Sequence, residues 1–564
     1  MAYMKDSSGR RLDSFKVAER EYLCSLPTGL GWDTEAFPLE PIVLSVRPDG
    51  SVSGSCALSA KSAFNAKSTA LTAPGTELWV DPSGGNDSNS GTQASPYLTI
   101  AKAVQVANAA GLPAKVRVLR TLPRVSRGKN PSNGGATTPT VDIAFIAHGR
   151  INTGTYDDIS ALNPPTPDAT YTSCYTLTVA TAGSVDKVLD VTNVVRGNYA
   201  ELTYVPTRAL CNATPGSWFI GMNKTVAIGI TSGSPNITAA QVVFTAEDVG
   251  KTITGTGIPA STTISSIGSD GKSAVLSANA TATNTTLSAT VAAATTTLYV
   301  HRADGQPVTV NNTRYYRPSH VFRFTSHVNI YIGGNNPGDG WDCEGGTIGV
   351  IDSSALGGSL ASDKVLAVEN SSFKYGGGIA SQLAGAPGRG VSIDNWRGLA
   401  LFENCHASAC DTDLFNWHNG ASNSRVHILT INCTGFDTGR PGQPSNNGHT
   451  LHENVKGVDI AGQLEDTRGG TVRNIHTSKA YYAGTRTTND MGDITLGSSA
   501  AGMPPTGFRA DDSAEVWCEY TDVRGPAGMV AYSTGAAGAK LHKRNVQPTP
   551  LADYSAVGTI DSNW

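Results

Sequence analysis

From Ser319 onward the chain repeats one pattern, an alternating apolar run followed by Asn, Ser, Cys or Gly and then a turn. Copies begin at Val321 (VFRFTSHVNIYIGG), Lys364 (KVLAVENSSFKYGGG), Leu399 (LALFENCHASAC), Val426 (VHILTINCTGFDTG), Gly470 (GTVRNIHTSKAYYAG) and Ala514 (AEVWCEYTDVRG). A period of two predicts strands, and the variable spacing between copies predicts a solenoid. Each turn of a solenoid buries its inward side chains only against its neighbours, so similar strands can be joined by unequal loops. A propeller or sandwich would show strands of more closely matched spacing. Asn404 and Asn432, beside Cys405 and Cys433, are expected to stack as short internal ladders.

A different pattern precedes the repeat. In LWVDPSGGNDSNSGTQASPYLTIAKAVQVANAA, from Leu78, Trp79 and Val80 start a strand and Asp81–Thr92 supply turn chemistry. Thr99 then caps a helix whose Ile100, Ala103, Val104 and Ala107 share one face, placed to lid an open end. An ordinary strand–helix unit with a long polar loop is the plainer reading. The combination resembles the start of the pectate-lyase-like right-handed β-helix of bacteriophage tailspikes and secreted polysaccharide lyases.

These signals divide the chain into five parts. Residues 1–73 read as a head with a linker, carrying Pro41-Ile-Val-Leu-Ser-Val-Arg47 and a Ser/Ala-rich stretch. Residues 74–222 read as the start of the β-helix with its capping helix and first rungs, among them 116–119, 141–146 and 175–179. Residues 223–292 form a Thr-rich inserted β module, 293–540 the main parallel β-helix, and 541–564 a closing segment in which Pro548 and Pro550 break strands. The string FTAEDVGKTITGTGIPASTTISSI, from Phe244, is similar to a module that recurs in phage tail proteins. The fold class expected is all-β, a right-handed parallel β-helix with a small insertion and a short N-terminal attachment region.

Composition narrows the function. The chain has 564 residues, too many for one compact core, and only 16% are charged, which suits many short strands and tight turns. Lys and Arg number 42 against 46 Asp and Glu, a formal charge of −4, so no bulk basic field exists to hold nucleic acid. No apolar run is long enough for a membrane helix, and Met1–Glu21 lacks the apolar stretch of a secretion signal. That favours a virion component, assembled in the host cytoplasm, over an exported enzyme. The nine Cys residues are scattered without metal-ligand spacing, so buried free thiols are expected.

The densest polar and aromatic region runs from Asp394 to Arg473. In CDTDLFNWHNG, Asp411 and Asp413 are two apart and share a face if extended, with Trp417 and His418 following. Carboxyl pairs cleave glycosidic bonds and aromatic rings stack on sugars, but Asp in such loops also caps turns. In NNGHTLHENVKGVDIAGQLEDTRGG, His452 beside Glu453 suits a general base with an acidic partner, and His449 and Arg468 suit substrate binding. A His and Glu that merely hold loops in register fit equally well. His449 and His452 match the spacing of a helical metal pair, but the surrounding Gly and Asn argue against a helix, so no metal or other cofactor is assigned. A lyase would need a base and a cation such as Arg468 or Lys456 to neutralise a uronate, while a hydrolase would need two acids. Trp341–Glu344 and Asp511–Asp512 read as turn and surface residues.

The candidate catalytic residues are therefore Asp411, Asp413, His452 and Glu453, and the candidate substrate-binding residues Trp417, His418, His449 and Arg468. The resemblance implies a homotrimeric tailspike that attaches to a host capsule or lipopolysaccharide, cleaves it in its depolymerase members, and joins other tail or baseplate proteins through its N-terminal region. It implies no nucleic-acid partner and no membrane insertion. A non-catalytic adhesive tail fibre and a bacterial extracellular lyase are the alternatives.

Overall fold

The computed structural model describes residues 20–562, apart from 48, 73–75, 120–138, 155, 159–163, 310, 319, 347–348, 354–355, 357–362, 380–387, 419–425, 439–446, 468–470, 489–505, 527, 547–550 and 556–557. The alternating runs form a parallel β-helix of three sheets, with 12, nine and eight strands. One rung shows the winding. Lys364–Glu369 lies in the twelve-stranded sheet, Ser372–Lys374 in the eight-stranded sheet and Arg389–Asp394 in the nine-stranded sheet, and Gly398–Glu403 returns to the first. Strands of successive rungs pair in parallel, residue on residue, as Leu366↔Ala400↔Ile428↔Gly457.

The corner from the twelve- to the eight-stranded sheet is uniform. It takes two residues in six successive rungs, and the first of them is left-handed: Asn370, Asn404, Asn432, Ala461, Gly484 and Tyr520, with φ between 50° and 67°. Asn and Gly tolerate that backbone best, which explains their recurrence after each apolar run. The Asn ladder is consequently at the corner rather than inside. Asn432 Nδ2 donates to Asn404 Oδ1 (3.4 Å) and to the Gly54 carbonyl (3.0 Å), while Cys405 and Cys433 are buried in the column. Loop length varies elsewhere, above all between the eight- and nine-stranded sheets.

Inward residues fill the column with packed rings, including Phe373, Phe402, Trp417, Tyr482, Phe508 and Tyr532. Phe402 lies 5.2 Å from Trp417, and Tyr482 lies 5.3 Å from Phe508. The helix Ile100–Ala110 sits where its pattern predicts. Thr99 accepts from Lys102 N, and Ile100, Ala103, Val104 and Ala107 are buried in the column's core.

Two outer faces are covered by the chain itself. Residues 20–72 are not a detached head with a linker. Their three-stranded antiparallel sheet (Arg20–Cys24, Ile42–Val46 and Val52–Ser55) and the helix Ala60–Asn65 bury Leu30, Phe37, Leu39, Ile42, Leu44 and Phe64 against the outer face of the twelve-stranded sheet. That face is apolar (Tyr331, Leu401, Leu429, Tyr481), and burying it removes a large hydrophobic surface from water.

The second cover is an insertion between Arg150–Gly154 and Phe322–Arg323, the same corner at which the long loops occur. Lys224–Ala292 folds as a six-stranded antiparallel sheet with its own core (Val226, Ile228, Phe244, Ile253, Leu287). It sits within two further sheets, one antiparallel and one mixed, so Tyr175–Thr178 is no rung of the column: it pairs antiparallel with Thr297–His301. The column resumes only at Phe322. At the other end, Lys540–Arg544, Ala552–Ser555 and Thr559–Asp561 continue the two larger sheets, so residues after 540 extend the column, and Pro548 and Pro550 lie outside the described residues.

Candidate functional site

On the nine-stranded sheet Asp352, Ser392, Asn416, Thr450, Arg473, Arg509 and Ser533 align on successive strands; every one is polar and most are buried. The eight-stranded sheet carries a similar polar row, Asp342, Ser372, His406, Thr434, Gln463, Arg486 and Asp522. Two residues further along each strand of the nine-stranded sheet, a second outward row collects titratable groups at the corner leading back to the twelve-stranded sheet. Asp394 pairs with His418, and His452 follows on the next rung, its backbone N–H donating to the Trp417 carbonyl.

One or two residues past the strand ends, the chain bends into the left-handed region at Asn395, Glu453, His476 and Asp512 (φ 53–60°). That bend places Glu453 between two imidazoles, with Oε2 3.1 Å from His418 Nδ1 and Oε1 3.3 Å from His476 Nδ1. His476 Nε2 lies 3.9 Å from Asp512 Oδ2. The rings of His418 and His452 are stacked, centroids 3.9 Å apart, and His476 lies 6.0 Å from His452. The side chains of His418 and Glu453 keep 31% and 27% of their exposure, and that of His476 keeps 51%, so solutes reach the group.

Charge around the corner is graded. Burial pushes the Asp394 carboxyl up, opposed by Arg389 and His418 and reinforced by Asp352 and Glu453. Arg389 Nη1 is 3.9 Å from Asp394 Oδ1 and also donates to Ser392 Oγ (2.9 Å). Burial, together with His418 and nearby cations, holds His452 far below the usual imidazole range, so it is neutral. On the next rungs Asp511 is clasped by Arg473 (2.9 Å) and Arg509 (2.8 Å).

Of the residues singled out in the sequence, this corner brings together His418, His452 and Glu453. Asp411 and Asp413 lie at the opposite corner, before the nine-stranded sheet, and both have structural partners. Asp411 Oδ1 pairs with Lys187 Nζ of the insertion at 2.6 Å, both side chains buried. Asp413 accepts from Asn416 Nδ2 (2.9 Å), Asn447 N (2.9 Å) and Asn447 Nδ2 (3.1 Å), which fixes the turn. Trp417 points inward with no solvent exposure and donates through Nε1 to His449 Nε2. Burial drops the His449 pKa to about 3. On a strand, residues three apart face opposite sides, so His449 turns into the core and His452 turns out.

Arg468 lies outside the described residues. Lys456 Nζ donates to the Gly31 carbonyl, holding the N-terminal cover, and Glu465 pairs with Arg196 of the insertion at 2.5 Å. Trp341 is a core residue. The sequence reading did not single out Asp394, His476 or Asp512, and it assigned Asp511–Asp512 to surface turns. A signal was present: an acid or His at or just past a strand end is followed by Asn, Glu or Asp at Asp394-Asn395, His452-Glu453 and Asp511-Asp512. Only the stacking register puts those pairs side by side.

No protein-family model matches the sequence, and no curated protein does. Among solved structures, the chain is similar to one titled "Glycoside hydrolase", with 9% identity, 86% of this chain and 96% of that chain covered, and a TM-score of 0.38. It is also similar to one titled "The complex structure of XylC with xylose", with 11% identity, 84% and 68% covered, and a TM-score of 0.26.

Proposed function

We propose that this protein binds a polysaccharide and cleaves it at the partly exposed corner formed by Asp394, His418, Glu453 and His476. The observation that carries this reading is the placement of two carboxyl groups, Asp394 and Glu453, on rungs either side of the His418 imidazole at a partly exposed corner. Glycosidic cleavage needs a proton donor at the leaving oxygen and a second charged group across the bond. Asp394 serves as the donor, and His418, Glu453 and His476 form the charged centre facing it. Arg389 and Arg473 suit an acidic sugar.

The wider role proposed is that of a tailspike: a trimer that attaches to a bacterial capsule or lipopolysaccharide, with the exposed corner turned to the glycan. This role rests on the sequence resemblance in the 78–110 and 244–267 segments.

Purified full-length protein incubated with a panel of bacterial capsular and lipopolysaccharide glycans tests the reading, with release of shortened oligosaccharides as the measurement. Asp394→Asn and Glu453→Gln are expected to lower release about a hundredfold, while Asp413→Asn, if folded, leaves it near wild type. Retention of glycan without release, in the wild-type chain, would make the protein an adhesin. Unchanged release in both corner variants would move the chemistry elsewhere.

A further inference from the structure

We propose that His418, His452 and Glu453 form a binding site for one transition-metal cation, with Zn²⁺ the best match to the ligand set. The inference takes its location from the proposed function and otherwise stands on geometry. Each of the three side chains offers one ligand atom, and these atoms lie within 4.8 Å of one another. A cation held at about 2.0–2.2 Å by tetrahedral ligands needs them roughly 3.4 Å apart, so modest side-chain rotations close the site. All three side chains retain solvent access, which leaves a path for the ion.

The chemistry of the donors selects the metal. Two imidazoles with one carboxylate are borderline ligands that suit Zn²⁺, Co²⁺ or Ni²⁺, whereas Mg²⁺ and Ca²⁺ prefer sets of oxygens. Three protein ligands also leave a coordination position for water or substrate. A further observation is consistent with this. The His452 imidazole makes ring contacts with His418 and His476 but no hydrogen bond among the described residues. The ring is only partly buried, so its nitrogens are open to a ligand from solvent, a cation or water.

The surroundings hold the ligands in place. The left-handed backbone at Glu453 turns its carboxylate back over the strand ends, and His476 Nδ1, 3.3 Å from Oε1, fixes the oxygen that does not face His418. Such an outer contact orients a ligating carboxylate, so His476 acts as a positioning residue.

The test uses the full-length chain, stripped with chelator and titrated with Zn²⁺ by calorimetry at neutral pH without glycan, with Co²⁺ visible absorption as a second readout. One Zn²⁺ per chain is expected, together with Co²⁺ bands of a low-symmetry four- or five-coordinate site. His452→Ala and Glu453→Gln should each weaken binding by more than about tenfold, and His476→Ala by about tenfold. Glu453→Gln preserves shape at a partly exposed position, so it reports on the site even if His452→Ala fails to fold. Absence of saturable Zn²⁺ binding, or undiminished binding by folded Glu453→Gln, overturns the proposal. Oligosaccharide release is assayed separately, with and without chelator. Zn²⁺ binding without any release upholds the metal site and removes the cleavage reading; release without Zn²⁺ binding does the opposite.

Discussion

Lys187, on the insertion, reaches across 224 residues of sequence to Asp411 of the column, Nζ to Oδ1 at 2.6 Å, with both side chains almost wholly buried. Lys187 Nζ also lies 3.5 Å from Glu201 Oε2. The pair locks the insertion onto the eight-stranded sheet, where Arg314–Glu344 (2.9 Å) and Arg196–Glu465 (2.5 Å) add further links.

Breaking one side of that pair leaves a charge in a dry site. Asp411→Ala is expected to destabilise the protein by about 3–5 kcal/mol, measured by denaturant unfolding. A Lys187→Met, Asp411→Leu double variant is expected to recover most of the loss, because the pair's desolvation cost offsets much of its attraction.

The N-terminal cover depends on Asn432. Its Oδ1 accepts from Gly54 N (2.7 Å) and its Nδ2 donates to Gly54 O, while its own backbone is left-handed at φ 51°. Asn432→Ala removes both hydrogen bonds and strains the corner, at an expected cost of about 2–3 kcal/mol. Hydrogen exchange should show faster opening in Val52–Ser55, with the column's inner strands unchanged.

His449 makes stability sensitive to acid. Burial holds its folded pKa near 3, so between that value and its ordinary 6.5 the unfolded chain binds more protons than the folded one. Stability therefore falls as pH drops through that window, by up to about 1.4 kcal/mol per pH unit. His449→Gln keeps an acceptor for Trp417 Nε1 and should flatten this dependence in unfolding measured at pH 7 and pH 5.

Asp459 has the opposite sign. Burial raises its pKa to about 6 against the pull of the Thr430 and Thr485 hydroxyls, each at 2.5 Å. The folded state here binds the extra proton, so stability falls as pH rises from about 4 to about 6. Asp459→Asn should remove that slope and leave the protein more stable at pH 7, by on the order of 2–3 kcal/mol.

The lid helix is anchored by Asp87, which accepts from Leu98 N (3.0 Å), Thr99 N (2.9 Å) and Thr99 Oγ1 (2.9 Å). Thr99→Ala should cost about 1 kcal/mol. Asp87→Ala should cost more, because it leaves two backbone donors without their acceptor. Thermal unfolding monitored by circular dichroism measures both.

Local sequence by itself determined the strands, the lid helix and the repeated Asn corner, because these follow from neighbours in the chain. Period-two alternation selects a strand, Thr99 selects a helix start, and Asn or Gly selects a left-handed bend. The Thr-rich stretch likewise carries enough alternating apolar positions to make its own core.

Tertiary structure decided which polar residues became partners. Asp411 and Asp413 look like a pair in sequence, yet one turns to Lys187 of the insertion and the other to Asn447 of the next rung. His449 and His452 are neighbours in sequence, but the pleat sends one inward and the other outward. The corner site assembles from Asp394, His418, Glu453 and His476, separated by loops whose lengths the chain pattern leaves free. The physical reason is that the register between rungs is set by inward side chains packing on one another, as Trp417 packs on Phe402. Outward residues gain their neighbours only through that packing.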